Sequence, residues 1–133
     1  MIYLAAPYSH PDAQTRRFRY EKTSETFMAL MKNGVNVFSP LNHTVPMVEE
    51  FGLELSHEEY LRLDLEFLQV CDELLVLTLP HWRKSVGVMR EVAAALRERK
   101  PITLIGPEDI PILPKIPKGA TRFLKSTVLK EME

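Results

Sequence analysis

The apolar and polar residues of this chain switch between a period of two and a period of 3.6, and the switches mark out its elements. Residues 2–6, Ile-Tyr-Leu-Ala-Ala, form an apolar run that reads as a first strand. Pro7 and Pro11 break any regular element after it. Asp12 stands where it can cap a helix reaching about Lys32, with Phe18, Phe27, Leu30 and Met31 as its core face and Gly34 as its C′ residue. A second strand is expected over residues 35–38, stopped by Pro40. Residues 40–55 are the least periodic part. They read as a long loop that leaves room for a short helix near 47–51.

Ser56-His57-Glu58-Glu59 is a capping box, with Ser at N-cap and Glu at N3. It predicts a helix to about Val70, with Tyr60, Leu63, Phe67, Leu68 and Cys71 as its apolar stripe. At 100° per residue Asp64 falls inside that stripe, while Arg62 and Glu66 point outward. A third strand follows over residues 73–79, then a loop over 80–84. Ser85 is the N-cap of a further helix whose apolar residues are Val88, Val92, Ala95 and Leu96. A fourth strand covers residues 102–105, ended by Gly106-Pro107. Beyond it lies a Pro-rich segment to Lys118, and residues 119–133 read as a short helix or a strand plus helix.

Strands alternating with helices imply a parallel sheet with both faces covered. The expected fold is α/β, a Rossmann- or flavodoxin-like parallel sheet of four to five strands with helices on both faces, in one domain spanning residues 1–133. In such folds the ligand lies beyond the carboxyl ends of the strands. That rim gathers residues 6–10, 40–43 and 80–87.

Composition changes little in this picture. The length of 133 residues suits one domain, and 45% apolar with 26% charged residues is ordinary for a globular chain. A net charge of −1 gives no reason to expect a nucleic-acid or membrane partner. The opening residues lack a signal peptide's basic start, and no apolar run approaches membrane-spanning length. The single cysteine, Cys71, excludes an internal disulfide and fits a reducing cytoplasm.

Candidate chemistry centres on two carboxylates. Glu91 lies one turn into the helix capped by Ser85, at the flank of its apolar stripe. The helix dipole is expected to keep it ionised, which suits a nucleophile, although a solvated glutamate fits the pattern equally. Asp64 is either a structural ion pair, a residue exposed by a helix rotation, or the partner of Glu91. Two carboxylates from neighbouring helices that meet at one rim can divide the work of retaining glycosyl transfer, one attacking and one handling a proton. Glu98 shares the flank of Glu91 but lies about two turns deeper, away from the rim.

Around this pair, Ser85 and Gly87 form a helix start able to receive an anion. Tyr8 follows the first strand and is placed to stack on a base, local loop packing being the alternative. His43 is either a surface histidine or a ligand contact. No metal is expected, because His10, His43, His57 and His81 lack ligand spacing. No cofactor is expected either, since GxGxxG and Walker A motifs are missing. Cys71 reads as core, and Trp82 is a weak candidate for stacking.

Three segments together resemble the nucleoside 2-deoxyribosyltransferase superfamily. They are residues 2–10 (Ile-Tyr-Leu-Ala-Ala-Pro-Tyr-Ser-His), residues 64–72 (Asp-Leu-Glu-Phe-Leu-Gln-Val-Cys-Asp) and residues 85–91 (Ser-Val-Gly-Val-Met-Arg-Glu). The superfamily includes the 2′-deoxynucleoside 5′-monophosphate N-glycosidases, and a small uncharacterised branch is nearest in the opening strand and in the Ser-Pro after strand two. The resemblance covers about residues 1–106. It implies cleavage of the N-glycosidic bond of a nucleoside or its 5′-monophosphate, by hydrolysis or base exchange. Glu91 would be the nucleophile at C1′ and Asp64 the acidic residue that assists departure of the base or binds the sugar. Ser85 and Gly87 would hold the 5′ end, with Tyr8 and Ser9 beside the substrate. It also implies a homodimer or higher homo-oligomer. The chain departs from the monophosphate hydrolases after strand one, where Ala6-Pro7-Tyr8-Ser9 carries no arginine; Arg83 or Lys84 is placed to substitute. The alternative on the same fold is a nucleotide-binding sensor without turnover.

Overall fold

The computed structural model describes residues 1–112. The expected tail element over residues 119–133, and the Pro-rich segment past residue 112, lie outside the described residues. Four parallel strands, β1 (Ile2–Ala5), β2 (Val37–Phe38), β3 (Glu73–Leu77) and β4 (Ile102–Ile105), form one sheet in the order β2-β1-β3-β4. Four α-helices connect or flank them: α1 (Ala13–Lys32), α2 (Pro40–Phe51), α3 (His57–Val70) and α4 (Val86–Arg97). The α/β expectation holds, with four strands and helices on both faces.

Alternation along the strands divides the core in two. Tyr3, Ala5, Leu74, Val76 and Ile102 face α3 and α4, where they pack with Leu68, Cys71, Val88, Val92 and Ala95. Leu4, Leu75, Leu77 and Ile105 face the other way and pack with Leu30 and Phe27 of α1. Both faces of the inner strands are buried, which is why β1 and β3 read as unbroken apolar runs. In this order the chain leaves β1 towards one edge and returns to β3 on its other side. The crevice between β1 and β3 is therefore the place where a ligand fits.

Four sequence expectations need correction. The stretch expected to be a loop, residues 40–55, is mostly α2. Ser39 is its N-cap and Pro40 its first residue, so the proline that seemed to stop a strand starts a helix. Pro46 sits inside the helix, and Gly52 closes it at φ 69. The second strand is correspondingly short, residues 37–38 rather than 35–38, and β3 ends at Leu77 rather than residue 79. The buried face of α1 is more polar than expected: Leu30 is buried and Phe27 packs beside it as expected, but Arg19, Thr23 and Thr26 are buried too, while Phe18 and Met31 are exposed. The two threonines return their hydroxyls to backbone carbonyls of Arg19 and Lys22, which lets small polar residues occupy a core stripe.

Other expectations hold in detail. Asp12 caps α1, accepting from the backbone of Gln14 and Thr15, and Gly34 follows it at φ 82. Ser56 caps α3 and Ser85 caps α4, each accepting from the backbone N–H three residues on. Arg62 and Glu66 are exposed, and β4 spans residues 102–105.

Candidate functional site

A cavity of about 520 Å³ opens beyond the carboxyl ends of β1 and β3. Ala6, Tyr8 and Ser9 line it from the loop after β1, and Pro40, Leu41, Thr44, Val45 and Val48 from α2. His57, Tyr60, Leu61 and Asp64 enter from α3, and Lys84, Ser85, Val86, Gly87, Val88 and Glu91 from the start of α4. Apolar walls with a few converging polar groups are the usual make-up of a small-molecule site.

Its polar floor is unusual. Asp64 Oδ1, Glu91 Oε2 and Tyr3 Oη are all buried, and none has a hydrogen-bond partner among the described residues. Glu91 is 7% exposed, and burial pushes its carboxyl up to about 8; the nearby Tyr3 hydroxyl pulls it down and the Asp64 charge adds to the rise. Tyr3 and Glu91 are close enough to influence each other electrostatically without meeting the geometry of a hydrogen bond. Asp64 is half-buried, and burial raises it to about 6. The Tyr3 phenol is raised well above its ordinary range by burial first, then by Glu91 and Asp64.

These values correct one expectation. Glu91 was expected to be ionised by the α4 dipole. Desolvation by burial outweighs the dipole, because one turn into the helix the favourable end has faded. At neutral pH the pair keeps one proton, held mainly by Glu91, and Asp64 carries the charge.

The Ser85 segment lies where the pattern put it. Ser85 Oγ accepts from Val88 N at 3.2 Å, and the first-turn N–H groups of α4 have no acceptor within the helix. A Cβ on Gly87 would meet only Ser85 Oγ, at 4.0 Å, so packing does not demand glycine there; its effect is to leave the cavity floor open. Lys84 reaches the cavity. Arg83 instead lies over the Trp82 ring, 5.2 Å from its centroid, and Trp82 packs against the core. Glu98 is at the far end of α4 and pairs with Lys100 at 3.1 Å.

Of the proposed contacts, Tyr8, Ser9, Ser85, Gly87, Asp64 and Glu91 line one cavity, and His43 does not. His43 is exposed on α2, edge-on to Phe38 and Phe67, whose rings stack at 4.1 Å. The helical turn from Pro40 sets its ring against β2 and α3 instead of the cavity, which a loop reading could not anticipate. Tyr3 was not singled out by sequence. Its signal was a phenol inside an otherwise apolar strand, which needs a polar neighbour. Glu49 was also missed; it accepts from Tyr8 Oη at 2.9 Å. Among the described residues no group of three or more His, Cys, Asp or Glu is arranged to hold a metal ion, and no helix is long and apolar enough to cross a membrane.

A family model matches residues 1–106, which takes in every strand, α1 to α4 and the whole cavity lining. The chain belongs to the domain of unknown function family DUF1937. No curated protein matches it.

Proposed function

We propose that this member of DUF1937 cleaves the N-glycosidic bond of a (deoxy)nucleoside or its 5′-monophosphate through a covalent glycosyl intermediate on Glu91. The observation that supports this most is the pair of carboxyls, raised to about 6 and about 8, that line one cavity at the β1/β3 crevice, each with one buried oxygen that has no partner among the described residues. Titratable groups set on either side of neutral pH are what a site needs to hold and move a proton.

The chemistry balances with one shared proton. Substrate binding sends the Glu91 proton to Asp64, which the lower pKa leaves ionised at rest. A Glu91 oxygen then bonds to C1′ as the C1′–N bond breaks, and Asp64 returns the proton to the departing base. Water, or the N–H of a second base, then gives its proton to Asp64 as its oxygen or nitrogen bonds to C1′ and the bond from C1′ to Glu91 breaks, and that proton passes back to Glu91 as the product leaves. Ser85, Gly87 and Lys84 would hold the 5′ end, with Tyr8 and Ser9 near the base or sugar. A homodimer or higher homo-oligomer working on small molecules in the cytoplasm belongs to the same reading.

A neutral Glu91 at rest also suits a second reading, a nucleotide-binding module without turnover, since a protonated carboxyl donates a hydrogen bond well. One experiment separates the two. The protein is incubated with each nucleoside and 5′-nucleotide, with and without a second base, and products are identified by chromatography. Free base is expected from the parent. Glu91→Ala should lower its release at least about 10³-fold. Full activity in that variant would sink the mechanism, and ligand-induced thermal shifts with no free base would favour the binding module.

A further inference from the structure

The loop after β1 is tied from two directions. Its backbone carbonyls go to arginines of α1: Arg19 Nη1 donates to Ser9 O at 2.9 Å and Tyr8 O at 3.4 Å, and Arg16 Nη1 donates to Pro11 O at 3.1 Å and to His10 O. Arg19 is buried against the loop, so its two ties are partly shielded from water, while those of Arg16 are exposed. With the main chain held at four successive carbonyls, the freedom left is rotation of the Tyr8 side chain. Two groups act on its hydroxyl, the Glu49 carboxylate, which accepts a hydrogen bond from it, and the nearby Arg16 guanidinium. Tyr8 Oη donates to Glu49 Oε1 at 2.9 Å, from the loop across to the last turn of α2. Tyr8 lines the cavity and Glu49 does not. The Tyr8 phenol is raised by burial first and then by the Glu49 carboxylate, with Arg16 opposing, which agrees with a close phenol–carboxylate contact.

We infer that Glu49 is a positioning residue that fixes the Tyr8 ring as a flat wall of the cavity, and so sets the affinity for the planar base of a nucleoside without touching it. In the orientation that keeps its hydroxyl on α2 the ring lines the cavity as a stacking surface. Glu49 is exposed, so the bond holds the ring while leaving it able to yield as a ligand enters. The inference rests on the nucleoside reading of the cavity and adds a determinant of base affinity remote from both carboxyls.

The test is a double-mutant cycle read by calorimetry with the four common 2′-deoxynucleosides as probes, on the parent, Glu49→Ala, Glu49→Gln, Tyr8→Phe and the Glu49→Ala/Tyr8→Phe pair. Glu49→Ala should weaken binding roughly threefold to tenfold, the worth of one aromatic stack. Glu49→Gln keeps an acceptor oxygen and should stay within about twofold of the parent. With Phe at position 8 there is no hydroxyl to hold, so adding Glu49→Ala should change nothing further. An unchanged affinity in Glu49→Ala overturns the inference. So does an equal loss in the Tyr8→Phe background, which would mean that Glu49 acts through α2 instead. A parent that binds none of the four overturns it as well. Base release assayed in the same samples keeps the two ideas apart. Binding without release sinks the glycosidase and spares Glu49; release with unchanged Glu49→Ala affinities does the reverse.

Discussion

At the amino-terminal end of the sheet the Lys100 ammonium donates to the carbonyls of Leu68, Gln69 and Cys71, each at 2.7 Å, and pairs with Glu98. At the carboxyl-terminal end Tyr3 Oη, Asp64 Oδ1 and Glu91 Oε2 are buried with no partner among the described residues. The same helices reach both ends. The end of α3 is closed by a cation that meets its orphan carbonyls, as helix termini require. One and a half turns earlier the same helix turns Asp64 into a cavity. Buried polar atoms are nearly always satisfied, and those that are not mark strain or function. The contrast teaches that one end of this fold meets its polar groups internally and the other leaves three unmet, which supports the proposal of a ligand site there.

The sharpest way to break that contrast is to neutralise Glu91 without removing its volume. Its unfolded form loses a proton near 4.5, while the folded form keeps it to about 8. Stability is therefore whole below about pH 4.5 and is lost as pH rises to 8, by at most about 5 kcal/mol. Glu91→Gln should unfold like the parent at pH 4.5 and be more stable in urea at pH 8.5, by up to that amount. Equal stabilities at both pH values would mean that the carboxyl is not strained.

At the opposite end the sign reverses. Lys100→Met keeps the aliphatic stem and strips the donors from three carbonyls, so it should cost about 2–4 kcal/mol in urea unfolding, with little dependence on pH from 5 to 8. An unaffected midpoint would show the two ends to be alike. The smallest effect belongs to the frame of the cavity. Ser39 is 2% exposed, accepts from Asn42 N and donates to Asn42 Oδ1 at 2.6 Å, and Asn42 in turn donates to Ser24 on α1. Ser39→Ala should cost about 1 kcal/mol, seen as a lower Tm, by loosening the start of α2.

How much was legible differs by helix. α3 and α4 were readable because each carries a cap and an apolar stripe of one period, and Asp64 stood out by interrupting a stripe. α2 was not, because Ser39-Pro40 means a strand's end or a helix's start depending on what packs above it. The core face of α1 was half legible: Leu30 and Phe27 pack as expected, but Phe18 and Met31 give way to Thr23 and Thr26, which bond back to their own helix, and to Arg19, whose partner lies in the loop after β1. The ionisation of Glu91 was misjudged for a related reason: a dipole argument uses one helix, whereas desolvation depends on everything packed around it.

The sequence by itself determined the order of elements, the parallel α/β plan, the caps at Asp12, Ser56 and Ser85, and the two carboxylates worth watching. Those are local properties, set by periodicity and by short-range hydrogen bonds. Only the tertiary structure decided that Asp64 and Glu91 share one cavity with Tyr3 beneath them, that Glu49 holds Tyr8 from another helix, and that His43 faces away. Each of these depends on distances between residues far apart in the chain and on how much water the fold excludes, and neither quantity is written in any local stretch.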